Sequence, residues 1–168
     1  MALKWTNPQE LDRAFKEAKE EYDRASVEFL TEKGEEWLKY ARENGPYKDH
    51  TANLRNSIGY IVVQFGHPII KAFPAGIPPK STKEEPAAKN ANPTAAKSKG
   101  RKYAEKIMSG LSKSKTYLIL VAGMEYAVYV EDKEGFWVLK GVEGLIDANE
   151  KKLLAEFKRR LESTKPWL

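Results

Sequence analysis

Apolar positions along the first forty residues fall on one helical stripe. Leu11, Phe15, Ala18, Tyr22, Ala25 and Phe29 recur at alternating steps of four and three, with Lys, Glu and Arg between them. That spacing collects side chains on one face of an α-helix. Asn7 and Pro8 stand ahead of the stripe and Glu10 follows, which predicts a capping box with Asn7 as cap. Gly34 interrupts the pattern, Trp37, Leu38 and Ala41 resume it, and Gly45-Pro46 ends it. One helix is therefore expected over 8–44. The period then shortens. "IGYIVVQFG" is rich in β-branched and aromatic residues and predicts a strand within 52–66. "TYLILVAG" predicts a second at 116–123, and "FWVLKG" a third at 136–141. "MEYAVYVEDKEG" fits both periods: Tyr126, Tyr129 and Val130 share a helical turn, whereas Tyr126, Val128 and Val130 alternate. A helix capped by Asp147, with Glu150 completing the box, closes the chain on Leu153, Leu154, Phe157 and Leu161.

No strand–helix–strand alternation appears, which argues against a doubly wound parallel sheet. The pattern predicts an α+β fold over 1–168. A small antiparallel sheet would carry the long N-terminal helix and the C-terminal helix on one face. One segment stands apart. Residues 67–99 are rich in Pro, Ala and Lys with few large apolar side chains after Ile77. Such a stretch buries too little surface to offset its ordering entropy, so it is expected as an extended basic arm carrying Lys80, Lys83 and Lys89. A short basic helix, 101–111, follows it.

Composition narrows the chemistry. The chain has 168 residues, a net charge of +5 and no cysteine, which removes disulfides, thiolate metal sites and cysteine nucleophiles. The N-terminus has no apolar signal-like core, and the longest apolar runs are too short to span a bilayer. A soluble protein with no membrane contact is expected. The modest positive charge permits nucleic-acid contact without requiring it.

The richest polar stretch is "KDHTANLRNSIGY", residues 48–60. Asp49 beside His50 has the elements of a general base, but neither a triad nor a metal site is complete. His67 lies beyond the expected strand, and no HExxH or DxD spacing is present. Glu131, Asp132 and Glu134 lie in a turn, where acidic residues serve solvation. No glycine pattern cradles phosphate. No enzyme activity, cofactor or metal is expected. Arg55 is free to pair with a carboxylate, and Glu131 is the natural partner. Tyr126 and Tyr129 supply large amphipathic contacts.

"HTANLRNSIGYIV", followed some seventy residues later by "VAGMEYAVYVE", resembles the neck and tail-completion (head–tail joining) proteins of tailed bacteriophages of the lambdoid siphophage type. That family combines a long N-terminal helix, a "TG-x-L-R-x-S-I" start to a strand and a "Y-A-x-Y-V-E-x-G" element. Ala52 stands where the family commonly has glycine, and the glycine after the glutamate is displaced to Gly135. The resemblance implies a virion structural protein rather than an enzyme. It would be assembled in the host cytoplasm as a homo-oligomeric ring in the neck, between portal or connector and tail, with genomic DNA nearby. Arg55, Tyr126, Tyr129 and Glu131 would then form subunit contacts, and Lys80, Lys83 and Lys89 would reach a partner. The rival expectations are a small basic nucleic-acid-binding module and, behind it, a hydrolase built on His50 and Asp49.

Overall fold

A computed structural model of the chain describes residues 7–49, 51–74, 76–78, 90–133 and 135–163. Eight elements follow in order: α1 (Pro8–Asn44), α2 (Asn53–Ser57), β1 (Ile58–Gln64), β2 (His67–Ala72), α3 (Pro93–Ser109), β3 (Thr116–Ala122), α4 (Ala127–Glu131) and α5 (Lys140–Ser163). The fold is α+β, with a three-stranded antiparallel sheet in the order β2-β1-β3. α1 begins as its sequence dictates: Pro8 opens it, and the Asn7 side chain accepts from the Glu10 backbone N–H at 3.3 Å.

β1 is buried along both faces, and this organises the rest. Ile58, Tyr60 and Val62 point into a core built with Leu38, Ala41, Val138 and Val142. Ile61 and Val63 point the other way, into a core with Phe73, Ala104, Ile119 and Val121. Helices therefore cover both faces rather than one, α1 on the first and α3 on the second. A nearly continuous apolar run is the signature of a strand buried on both sides. Two close approaches fix the layers. A side-chain carbon at Gly34 would lie 2.6 Å from the Tyr60 ring, so the glycine inside α1 makes room for that ring rather than merely weakening the helix. On the other face, a side-chain carbon at Gly100 would lie 2.2 Å from the Ser57 carbonyl oxygen, so α3 rests directly on backbone.

Several local expectations are corrected. Residues 53–57 are helical, and the strand begins only at Ile58. The two-period segment resolves as the short helix α4. Residues 136–139 form no strand. Val138 is buried against α1 and Trp137 stacks on Tyr40 at 5.4 Å, so this apolar run serves as a plug. α5 then begins at Lys140, seven residues ahead of Asp147. Its first turn joins the sheet core through Val142. The rest lies along α1, with Phe157 against Tyr22 and Phe29 at 5.8 and 5.2 Å and Glu156 paired to Lys33 at 3.1 Å.

The insert is mostly regular structure where it is described. Residues 67–72 form edge strand β2, joined to β1 by a tight turn in which Phe65 and Gly66 both have positive φ. The basic helix begins eight residues earlier than expected. Asn92 caps α3, its side chain accepting from the Ala95 backbone N–H at 2.9 Å, and Pro93 follows. Lys80, Lys83, Lys89 and His50 lie outside the described residues.

Candidate functional site

Polar side chains from 47–57 and 126–131 meet between the C-terminus of α1 and the N-terminus of α5. Arg55 lies at the centre and is 7% exposed. Its Nε donates to the Arg42 carbonyl at 2.9 Å, and Nη2 donates to the Gly45 and Tyr47 carbonyls at 3.2 Å each. The guanidinium also lies 4.7 Å over the Tyr47 ring. A cation bonded to a last-turn carbonyl of a 37-residue helix, and to the two carbonyls of Gly45 and Tyr47 just beyond it, sits at the negative end of the helix dipole. The expected ion pair with Glu131 is absent. Backbone carbonyls hold the cation instead.

Glu131 performs the opposite task. Its Oε2 accepts the Val138 and Leu139 N–H groups at 2.9 Å each, and its Oε1 accepts the Lys140 N–H at 2.6 Å. These donors open α5, so the carboxylate caps that helix from seven to nine residues upstream. Asp49 does the same for α2: Oδ2 accepts the Arg55 N–H at 2.8 Å, and Oδ1 accepts from the Thr51 hydroxyl at 3.3 Å. Both oxygens of the proposed base are therefore engaged within the loop. Tyr126 lies beside Thr51 and Asp49, so the two signature segments adjoin here.

The asparagines of "NLRN" have a role that sequence reading missed. Asn56, fully buried, accepts the Ile77 N–H at 3.1 Å and donates to the Ile77 carbonyl at 2.8 Å. Asn53 accepts the Asn92 N–H at 2.8 Å and donates to the Asn90 carbonyl at 3.1 Å. Each side-chain amide thus pairs with backbone on one flank of the insert, and both flanks stand on α2. An asparagine offers a donor and an acceptor side by side, the pair that an extended chain presents. Nothing in the sequence names the partner, because the paired residues lie 21 and 37–39 positions away.

Ala52 has φ 55°, in the left-handed region, so the turn keeps the shape that glycine would favour even though alanine occupies it. Tyr47 is buried with no partner for its hydroxyl, and desolvation pushes its pKa well above the ordinary tyrosine value of 10.0. Burial also raises the pKa of Tyr126, assisted by the Asp49 charge. Arg42, nearly buried, has its pKa lowered by desolvation. It donates to Asn56 at 3.3 Å, while its Nε has no partner. Arg42, Asp49, Ala52 and Arg55 border a cavity of about 470 Å³ that Pro74, Ile77 and Pro78 close from the other side.

Arg55 and Glu131 are inside this framework, bonded to backbone. Tyr126 and Tyr129 are at its surface, 38% and 79% exposed, with Val128 also exposed between them. Among the described residues no group of three His, Asp or Glu side chains can hold a metal ion. No helix among them is long and apolar enough to cross a membrane. Comparison with protein-family models, curated proteins and solved structures finds no match to the chain.

Proposed function

We propose that the chain is a structural subunit of a bacteriophage head–tail junction, assembling with copies of itself into a ring between portal or connector and tail. The observation that carries this reading is the role of the two signature segments. Their charged side chains, Asp49, Arg55 and Glu131, are all bonded to backbone at helix ends, and the segments meet through Thr51 and Tyr126. A framework of this kind fixes a surface rather than a reaction. The surface it presents is α4, with Tyr126, Val128 and Tyr129 exposed. Exposed aromatic side chains on a rigid support are the usual anchors of protein contacts. A subunit that binds its neighbour head to tail closes into a ring when the rotation permits.

A second reading rests on α3, which carries Lys97, Lys99, Arg101, Lys102 and Lys106 against Glu105 alone. A basic helix of this kind suits phosphate contact. One experiment separates the two. Light scattering after size-exclusion chromatography, with and without purified portal and tail proteins, is expected to give a particle of several 19.1 kDa subunits. Tyr129→Ala should weaken it. A monomer or dimer that ignores those partners, but retains DNA at low salt and releases it at high salt, refutes the ring and supports the nucleic-acid module.

A further inference from the structure

α3 rests on the second face of the sheet through small residues. Ala96, Gly100 and Ala104 are buried there at steps of four, which turns the other sides of the helix outward. The outward side is basic. Residues 93–115 carry seven Lys and Arg side chains against one carboxylate, Glu105, a net charge of +6. The whole chain carries +5, so everything outside this stretch sums to −1. The positive excess of the protein is thus held on one helix and the turn that follows it. Glu105 offsets little of it, because Lys71 of β2 and Arg101 occupy its carboxylate at 2.8 and 3.1 Å on one flank of the helix. On the other flank Lys99, Lys102, Tyr103 and Lys106 form a continuous exposed stripe at helical spacing. Lys99 lies 3.6 Å from the exposed Glu125. Among the described residues no carboxylate pairs with Lys102 or Lys106. Tyr103 is 48% exposed and stands between the lysines.

We propose that this stripe is a track for single-stranded nucleic acid, with Lys99, Lys102 and Lys106 on the phosphates and Tyr103 under a base. It rests on the basic-helix reading of α3 and names the ligand. The concentration of the whole positive excess on one face selects a polyanion. From Lys99 to Lys106 the stripe runs about 10 Å along the helix axis, a length over which a strand presents two or three phosphates. The tyrosine among the lysines selects the kind of strand. A ring lying between phosphate contacts gains from a base whose face is free, and bases in a duplex are already stacked on each other. A membrane surface is disfavoured, because Tyr103 is the only large apolar side chain that α3 exposes and no aliphatic residue accompanies it into a bilayer. α4 packs on the opposite side of the sheet, through Ala127 and Val130 in the core that α1 covers. The track therefore leaves the α4 surface free and does not depend on the ring.

Fluorescence anisotropy of a labelled oligothymidylate of about 15 nucleotides, titrated with the full chain over a salt series, tests the track. Three phosphate contacts give log K against log salt a slope of about −2. Lys102→Glu combined with Lys106→Glu should bring the slope to between about 0 and −1 and weaken binding about tenfold or more. Lys151→Glu combined with Lys152→Glu also replaces two exposed lysines, on α5, and changes the net charge equally. It should change the affinity less than about threefold. Tyr103→Ala should weaken binding at least about fivefold and leave the slope unchanged, since stacking releases no counterions. Circular dichroism confirms that each variant is folded. An oligouridylate run in parallel separates RNA from DNA as the source, and tight binding of either supports the track. Equal losses from the two lysine pairs would show diffuse attraction to a polycation and overturn it. If Tyr103→Ala is silent and a duplex of the same length binds as tightly, α3 keeps its phosphate contact and the single-strand track is overturned. No binding at low salt overturns the track and the basic-helix reading together and leaves the ring standing. A ring that binds the strand through Tyr103 supports both surfaces, whereas a monomer that does so supports the track and ends the ring reading.

Discussion

Replacing Arg55 with lysine keeps the charge and removes the fork. In the native chain three carbonyls, of Arg42, Gly45 and Tyr47, receive one guanidinium at 2.9–3.2 Å. A lysine ammonium on a flexible stem can serve one of them well, which leaves two buried acceptors short. Hydrogen bonds to charged groups contribute about 1.5–3 kcal/mol each. Two losses at the lower end give a destabilisation of about 3 kcal/mol, with the lost stack on Tyr47 adding to it. For a chain of this size, that lowers the Tm by roughly 6–12 °C. Equilibrium urea unfolding followed by circular dichroism measures it. Lys71→Met is the control. It breaks the 2.8 Å pair with Glu105, both partners about one-third exposed, and is expected to cost less than about 1 kcal/mol. If Arg55→Lys costs no more than this control, the helix-end account of Arg55 is wrong. An Arg55→Lys chain that is stable alone but fails to assemble would return Arg55 to an interface.

Gly100→Ala pushes a methyl group against the Ser57 carbonyl oxygen and should cost about 3 kcal/mol or more in the same assay, since backbone cannot move aside as a side chain would. Glu131→Gln replaces one of two acceptor oxygens with a donor facing backbone N–H groups, and a loss of about 1–2 kcal/mol is expected. Unchanged stability there would mean that α5 does not depend on its distant cap. Tyr47→Phe removes a buried hydroxyl with no partner and should leave stability at neutral pH equal or up to about 1 kcal/mol higher. The wild-type hydroxyl keeps its proton in the fold at pH values where the unfolded chain has lost it. Its contribution is therefore complete below the ordinary value of 10.0 and falls above it, by up to about 1.4 kcal/mol per pH unit. Tyr47→Phe should flatten that alkaline decline, and an unchanged decline would sink the assignment.

Features that depend on period and local capping were legible in the sequence. The span of α1, its Asn7 cap and the antiparallel class of the sheet follow from the pattern. Errors arose where a distant residue decides the local structure. Residues 136–139 have strand composition, but they pair with no strand and plug the core beside α1 instead. The true start of α5 is set by Glu131, and a cap seven to nine residues away leaves no short-range motif. One signal was available and missed: "NP" at 92–93 repeats the "NP" at 7–8 that opens α1, and it opens α3 in the same way. Of the residues expected in a contact, Tyr126 and Tyr129 are exposed, whereas Arg55 and Glu131 face inward onto backbone, because the sequence does not show that helix-end carbonyls and N–H groups lie within their reach.

The polar run that resembled catalysis is explained by the shortness of α2. Five residues cannot hold a helix on their own, and Asp49, Arg55, Asn53 and Asn56 supply what the backbone lacks. A consequence follows for the insert. Ile77 and Asn90 are both bonded to α2, on side chains three residues apart. The chain between them therefore leaves and returns at neighbouring points, and closing such a loop costs only about 0.6 kcal/mol per doubling of its length. Replacing residues 79–88 with six alternating glycines and serines, enough to span roughly 20 Å, should leave the Tm within about 2 °C. If the lysines there reach a partner, the shortened chain stays folded and loses assembly or DNA retention. A loss of stability above about 2 kcal/mol would show instead that the segment belongs to the core, and the insert would then be a part of the fold rather than an attachment to it.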